Sequence, residues 1–202
     1  MRLLFITLLF PAYFFAIGQP GNGNALATEE LKPFGTPYGT INYKVIEGGE
    51  GSVELKFDLY GMFTAGLHQV KFSLYGIDAS MKELTIRDGD FQYIYDLDKN
   101  RGRVKSNKTQ SDLLRYKSPK ETREAMFSVN NGKMVGMETI LDKPVEHWLF
   151  ESGQLQEAWI WEGILLKAKV KKPKVTYTYE ATSIDLNKPE IRYPEGISIS
   201  QD

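Results

Sequence analysis

Val53-Glu54-Leu55-Lys56-Phe57-Asp58-Leu59 alternates apolar and charged side chains without a break. A strand sends successive side chains to opposite faces, so this order buries one face and wets the other. The same period of two recurs on both sides of it. Ile41, Tyr43 and Val45 alternate with Asn42 and Lys44; His68, Val70, Phe72 and Leu74 alternate with Gln69, Lys71 and Ser73. Phe91, Tyr93, Tyr95 and Leu97 keep the rule, as do Val175, Tyr177 and Tyr179 against Thr176, Thr178 and Glu180. One-sided burial is the habit of antiparallel sheets, whereas parallel sheets are covered on both faces. Turn residues punctuate the runs: Glu47-Gly48-Gly49-Glu50-Gly51, Asp88-Gly89-Asp90, Asp98-Lys99-Asn100-Arg101-Gly102, Asn130-Asn131-Gly132 and Ser152-Gly153. The pattern predicts a mainly β chain with at least eight antiparallel strands.

Helix signals are confined to one region. Ser118-Pro119-Lys120-Glu121 sets an N-cap serine before a proline at the first helical position, with glutamate at the third. This predicts a helix to about Phe127, and the spacing of Leu113, Leu114 and Tyr116 predicts a second over 110–116. Both are too short to stand alone and must pack on the sheet.

At 202 residues, with 42% hydrophobic and 25% charged residues, the composition is that of one globular domain. Lys+Arg 25 against Asp+Glu 26 leaves a net charge of −1, which gives no footprint for nucleic acid. The absence of cysteine removes disulfides, thiol catalysis and Cys-held metal centres. Met1-Arg2 precedes the apolar run Leu3 to Ile17, which is broken by Pro11 and shorter than the roughly 20 residues of a membrane span. It reads as an export signal over 1–18, with Ala27 as the alternative end. Residues 19–37 carry Gly, Pro and Asn without periodicity and read as a mobile lead-in; 38–202 is then a single β-rich domain. The mature chain is expected in the periplasm or outside the cell, with no stable membrane span.

Catalytic patterns are missing. His68 and His147 stand far apart in sequence, outside any HExxH spacing, and there is no GxSxG elbow, P-loop or GxGxxG before a helix. The expectation is a protein that is not an enzyme, with no catalytic residues, no metal and no cofactor. Asp96-Leu97-Asp98-Lys99-Asn100-Arg101-Gly102 resembles the start of a calcium loop, but its glycine is one residue late and Asn107 stands at the twelfth position. It reads instead as a hairpin loop in which Asp and Asn cap backbone amides and Gly supplies positive φ. The lysines at 167, 169, 171, 172 and 174 read as the wet edge of a hairpin.

The aromatics carry what remains: 11 Tyr, 11 Phe and 3 Trp. Trp159 and Trp161 flank Ile160, so both indoles share a face. They are either core anchors or the lining of an apolar cavity. The candidate lining is Phe57, Phe72, Tyr93, Trp159, Trp161 and Tyr177.

Three sets of segments together resemble a family of small secreted bacterial proteins of uncharacterised function, related in fold to the periplasmic lipoprotein carriers LolA and LolB. The first is Tyr38-Gly39-Thr40-Ile41-Asn42-Tyr43 with the following strand 51–60; the second is Phe91-Gln92-Tyr93-Ile94-Tyr95-Asp96-Leu97-Asp98. The third joins Gly132-Lys133-Met134-Val135-Gly136, the segment Trp159 to Lys167, Glu180-Ala181-Thr182-Ser183-Ile184 and the closing Pro194-Glu195-Gly196. The resemblance spans about residues 38–199. It implies a curved antiparallel half-barrel with one or two short helices on the concave face, holding an acyl chain between sheet and helices. Two functions stay open: an envelope protein that binds a lipid, acyl chain or other hydrophobic ligand, and a structural or assembly partner of another envelope protein with no small ligand.

Overall fold

The alternating stretches form strands because each has an apolar stripe to bury and a Gly, Asn or Asp to turn on. In the structure, a computed structural model, the described residues are 32–74, 77–106, 108, 124, 127–128, 130–171 and 176–201. The strands are β1 (Gly39–Glu47), β2 (Glu50–Asp58), β3 (Phe63–Leu74), β4 (Ile77–Asp88), β5 (Phe91–Asp96) and β6 (Arg101–Ser106). They continue with β7 (Gly132–Ile140), β8 (Lys143–Phe150), β9 (Leu155–Trp161), β10 (Ile164–Lys171), β11 (Thr176–Asp185) and β12 (Ser198–Gln201). All twelve belong to one curved, unclosed sheet in the order β12-β6-β5-β4-β3-β2-β1-β11-β10-β9-β8-β7. Two antiparallel meanders, β1–β6 and β7–β11, meet where β1 pairs with β11. Among the described strands only β12 against β6 is parallel. The antiparallel strands expected from the alternation, and the half-barrel implied by the resemblance, are what is found. The capping box at Ser118, the segment 110–116 and the apolar run 1–18 lie outside the described residues.

Register carries one face across the sheet. Ile41, Tyr43 and Val45 of β1 stand opposite Leu55, Val53 and Gly51 of β2, and Phe57 stands opposite Thr64 of β3. On the far side of β1 the same face holds Tyr179 and Ala181 of β11. Ile41, Phe57, Val53, Leu166 and Tyr177 are sealed from solvent in the main hydrophobic cluster. This is the inner face. Its curl is fixed at one end by residues 33–37, the last part of the expected lead-in, which are anchored. Phe34 N–H donates to Tyr60 O at 2.9 Å and Gly35 N–H donates to Glu162 O at 2.8 Å. The clip therefore ties the β2–β3 connection to the β9–β10 turn. The Phe34 ring meets Phe57 edge-on, with centroids 5.1 Å apart. At Gly61, φ is +86° and a Cβ would lie 2.6 Å from the Phe34 ring, so both conformation and contact require glycine there.

Two local readings change. Leu59, aligned by alternation with the buried side chains of β2, sits instead in a 3-10 turn (Leu59–Gly61) with φ 52° and is exposed. The Asp58 carboxylate accepts its N–H at 2.8 Å and ends the strand one residue early. In the β5–β6 loop the positive φ falls on Asn100 (51°), not on Gly102. Gly102 is a buried β6 residue, where a Cβ would lie 2.9 Å from the Tyr95 ring.

Candidate functional site

The inner face has two chemical halves. Over β1, β2 and β9–β11 its buried side chains are apolar or tyrosine. Tyr43 spends its hydroxyl on Leu165 O at 2.8 Å, and burial pushes that phenol well above the usual tyrosine range. On β3 and β4 the same face stays apolar at Val70, Phe72 and Met81 and turns polar toward the other end of the strands. Phe57 is followed across the register by Thr64, Arg87 and Gln92; Leu55 by Gly66, Thr85 and Ile94; Val53 by His68 and Glu83. Thr64, His68, Glu83 and Gln92 are buried. Thr85 Oγ1, Arg87 Nε and Gln92 Nε2 are shut off from solvent and find no hydrogen-bond partner among the described residues. Burial pushes the His68 imidazole down to about 4, so it is neutral at pH 7. A buried apolar region of the inner face thus adjoins a buried polar bank, so the face offers apolar and polar contacts side by side.

Register divides the six aromatic candidates. Phe57, Phe72 and Tyr177 face inward; Phe57 and Tyr177 are fully buried and Phe72 is half-buried against the same cluster. Trp159 lies on the outer face, opposite His147 of β8 and Lys167 of β10. Its ring stacks on His147 at 4.2 Å, Lys167 Nζ lies 4.9 Å from its centroid, and its Nε1–H donates to Glu138 at 2.9 Å. His147 is itself 2.7 Å from the same carboxylate and 3.4 Å from Glu157. Trp161 shares that side by alternation, with Lys143 Nζ 4.8 Å from its ring. Tyr93 is also outward, opposite Ile86, in a separate cluster with Ala65 and Tyr95.

That second cluster is covered by the chain after β11. Residues 186–197 cross the outer face of β2–β5 before β12 joins β6. Tyr193 anchors the crossing: it meets Tyr93 edge-on at 5.3 Å and its hydroxyl donates to Asp88 at 2.7 Å. Burial and the Asp88 carboxylate push this phenol above the usual range. Beside the anchor, between strap and sheet, opens a groove of about 630 Å³. Its floor includes Ala65, Leu67, Leu84 and Leu97, and its rim includes Lys56, Lys82, Glu190 and Arg192. Sequence alone does not single out His68, Arg87 or this groove as a ligand site. The one sign it carries is polar residues in phase with apolar ones on the third and fourth strands.

The loop 96–102 uses its carboxylates locally. Asp96 accepts Lys99 N–H at 3.1 Å and Lys99 Nζ at 2.7 Å, and Asp98 accepts Lys82 N–H at 3.0 Å. These are the turn-capping bonds expected of the loop. Among the described residues no group of three His, Asp or Glu side chains is placed to hold a metal ion. No helix among them is long and apolar enough to cross a membrane.

No protein-family model and no curated protein matches the sequence. An uncharacterized conserved protein from Thermus thermophilus has a similar solved structure: TM-score 0.52, 8% identity, 83% of this chain and 91% of that one. At that identity the likeness concerns the fold alone. LprF from Mycobacterium bovis aligns at TM-score 0.36 and 9% identity, over 81% of this chain and 90% of that one.

Proposed function

We propose that the chain is a non-catalytic cell-envelope protein that binds a lipid, an acyl chain or another hydrophobic ligand on the inner face of its sheet. The observation that carries this reading is the apolar half of that face. Among the described residues it runs over β1, β2 and β9–β11 with no buried charged side chain, in a sheet that curls without closing. Phe57 and Tyr177 belong to it and Phe72 of β3 borders it; Tyr93, Trp159 and Trp161 brace the outer side. Each CH₂ taken from water would contribute about 0.8 kcal/mol before ordering costs. The apolar run 3–17 supports export, with the mature chain starting after Gly18 or Ala27, and the resemblance to the lipoprotein carriers supports an envelope location.

Native mass spectrometry of the mature protein, before and after delipidation, tests the reading together with titration of a fluorescent fatty acid. Retained mass and saturable binding are expected. Phe72→Ala is the better probe, because Phe57 is a fully buried core residue whose loss would unsettle the fold. The lost contact should weaken binding about 10- to 100-fold. Equal masses and no binding would sink the proposal.

A docking role is the second reading, and one observation favours it. Edge strand β7 exposes Met134, Val135 and Met137, and its outer side has no partner strand among the described residues.

A further inference from the structure

β4 places Thr85 and Arg87 two residues apart, so both side chains leave the same face. Register sets Gln92 of β5 directly opposite Arg87 and Thr64 of β3 on its other side. Phe57 lies two strands from Arg87, a distance of about 10 Å at the usual strand spacing. The polar bank therefore begins where the apolar region ends.

Three atoms of that bank are unspent: Thr85 Oγ1, Arg87 Nε and Gln92 Nε2. Arginine nitrogen and the amide nitrogen are pure donors, and the hydroxyl can donate. Gln92 is 8% exposed, and a buried donor with no acceptor is costly to keep. Among the described residues no carboxylate pairs with Arg87. Burial alone holds its guanidinium down at about 10, so it stays charged at neutral pH. Lys105 of β6, opposite Gln92, adds a second cation to the same row. A set of converging donors around one unpaired cation calls for an oxyanion.

We infer that Arg87, Thr85 and Gln92 receive the anionic head group, a carboxylate or phosphate, of an amphiphile whose chain lies along the apolar half of the inner face. This rests on the ligand-binding function proposed above and names the ligand class. The near-neutral net charge of the chain says nothing against it, because the cation that matters is placed rather than averaged.

The test uses ligands of one chain and different heads, each displacing the neutral probe N-phenyl-1-naphthylamine: myristate, myristyl phosphate, myristyl alcohol and myristyltrimethylammonium. Wild-type protein should bind one or both anions about 10- to 100-fold more tightly than the alcohol, and the ammonium most weakly. Arg87→Gln should bring the anion-to-alcohol ratio to about one while the alcohol's own affinity holds. Should Arg87→Gln not fold, Arg87→Lys and Thr85→Val carry the same test: each should lower the ratio without touching the alcohol. Equal affinity for alcohol and anions in wild type overturns the head-group site and leaves the ligand-binding function standing. An anion preference that survives Arg87→Gln also overturns it. Displacement of bound myristate by acetate or inorganic phosphate at comparable concentration would mean a free-anion site and defeat the amphiphile. Failure of the probe and all four ligands to bind defeats both proposals.

Discussion

His68 is fully buried on the inner face, between Val53 of β2 and Glu83 of β4, and its imidazole is pushed from 6.5 down to about 4. The folded protein therefore resists protonating a group that the unfolded chain protonates readily. Between pH 6.5 and 4 the unfolded state binds more protons, so stability is fully present above 6.5 and drains as pH falls through that window. At about 1.4 kcal/mol per pKa unit the loss is on the order of 3 kcal/mol. The urea midpoint of the wild type should drop between pH 7 and pH 4.5, and His68→Gln, which carries no titrating group there, should drop less. Identical slopes would mean that His68 takes up its proton inside the fold. Nothing in the sequence marks this histidine as buried except its phase: it falls on the apolar beat of Val70 and Phe72. Arg87 is harder to see, because its strand, Ile77 to Asp88, mixes polar and apolar residues on both parities.

Alternation fixes which residues of one strand share a face. It does not fix which face of the sheet that is, and the elements show the difference. The strand spacing and turn residues are legible, down to the β1–β2 hairpin with its positive-φ Gly48 and the β8–β9 turn with Gly153. The division of the aromatics is not. Bulges shift the β9–β10 register between Leu165 and Lys167 and between Lys169 and Val170, and on β9 both faces are covered, so no wet side betrays the phase of Trp159. The strap 186–197 is equally hidden: it has no periodicity, and its hold depends on Tyr193 meeting Tyr93 and Asp88 from far along the chain. These placements separate outer-face aromatics from inner-face ones. Trp159→Ala should cost about 3–5 kcal/mol, the usual loss for a buried tryptophan, because the indole joins β7, β8 and β10 through Glu138, His147 and Lys167. Its effect on fatty-acid affinity, measured at a temperature where the variant is folded, should be nil. A variant of normal stability and weakened binding would move Trp159 into the ligand site.

Among the described residues the sheet has two free edges, and they are defended unequally. At one end β12 is only four residues long, the short kind of edge that discourages pairing. At the other, β7 runs nine residues from Gly132 to Ile140 and carries Met134, Val135 and Met137 at 43%, 46% and 58% exposure. Lys133 and Glu138 are its only charges, and the Glu138 carboxylate is drawn back onto Trp159 and His147. A long edge with unpaired backbone and exposed apolar side chains recruits another strand. Sedimentation velocity over a wide range of concentration should show self-association of the wild type that Met137→Lys removes. A lysine at an exposed edge position should change stability by no more than about 0.5 kcal/mol. Wild-type protein that stays monomeric throughout would leave β7 without a self-docking role. If association instead persists in Met137→Lys, it must run through another surface, with the strap groove between Ala65 and Ile191 as the next apolar place to look. Ligand binding is expected to be indifferent to Met137→Lys, because Met137 is exposed on the edge strand β7, outside the span β2 to β9 proposed to hold the chain.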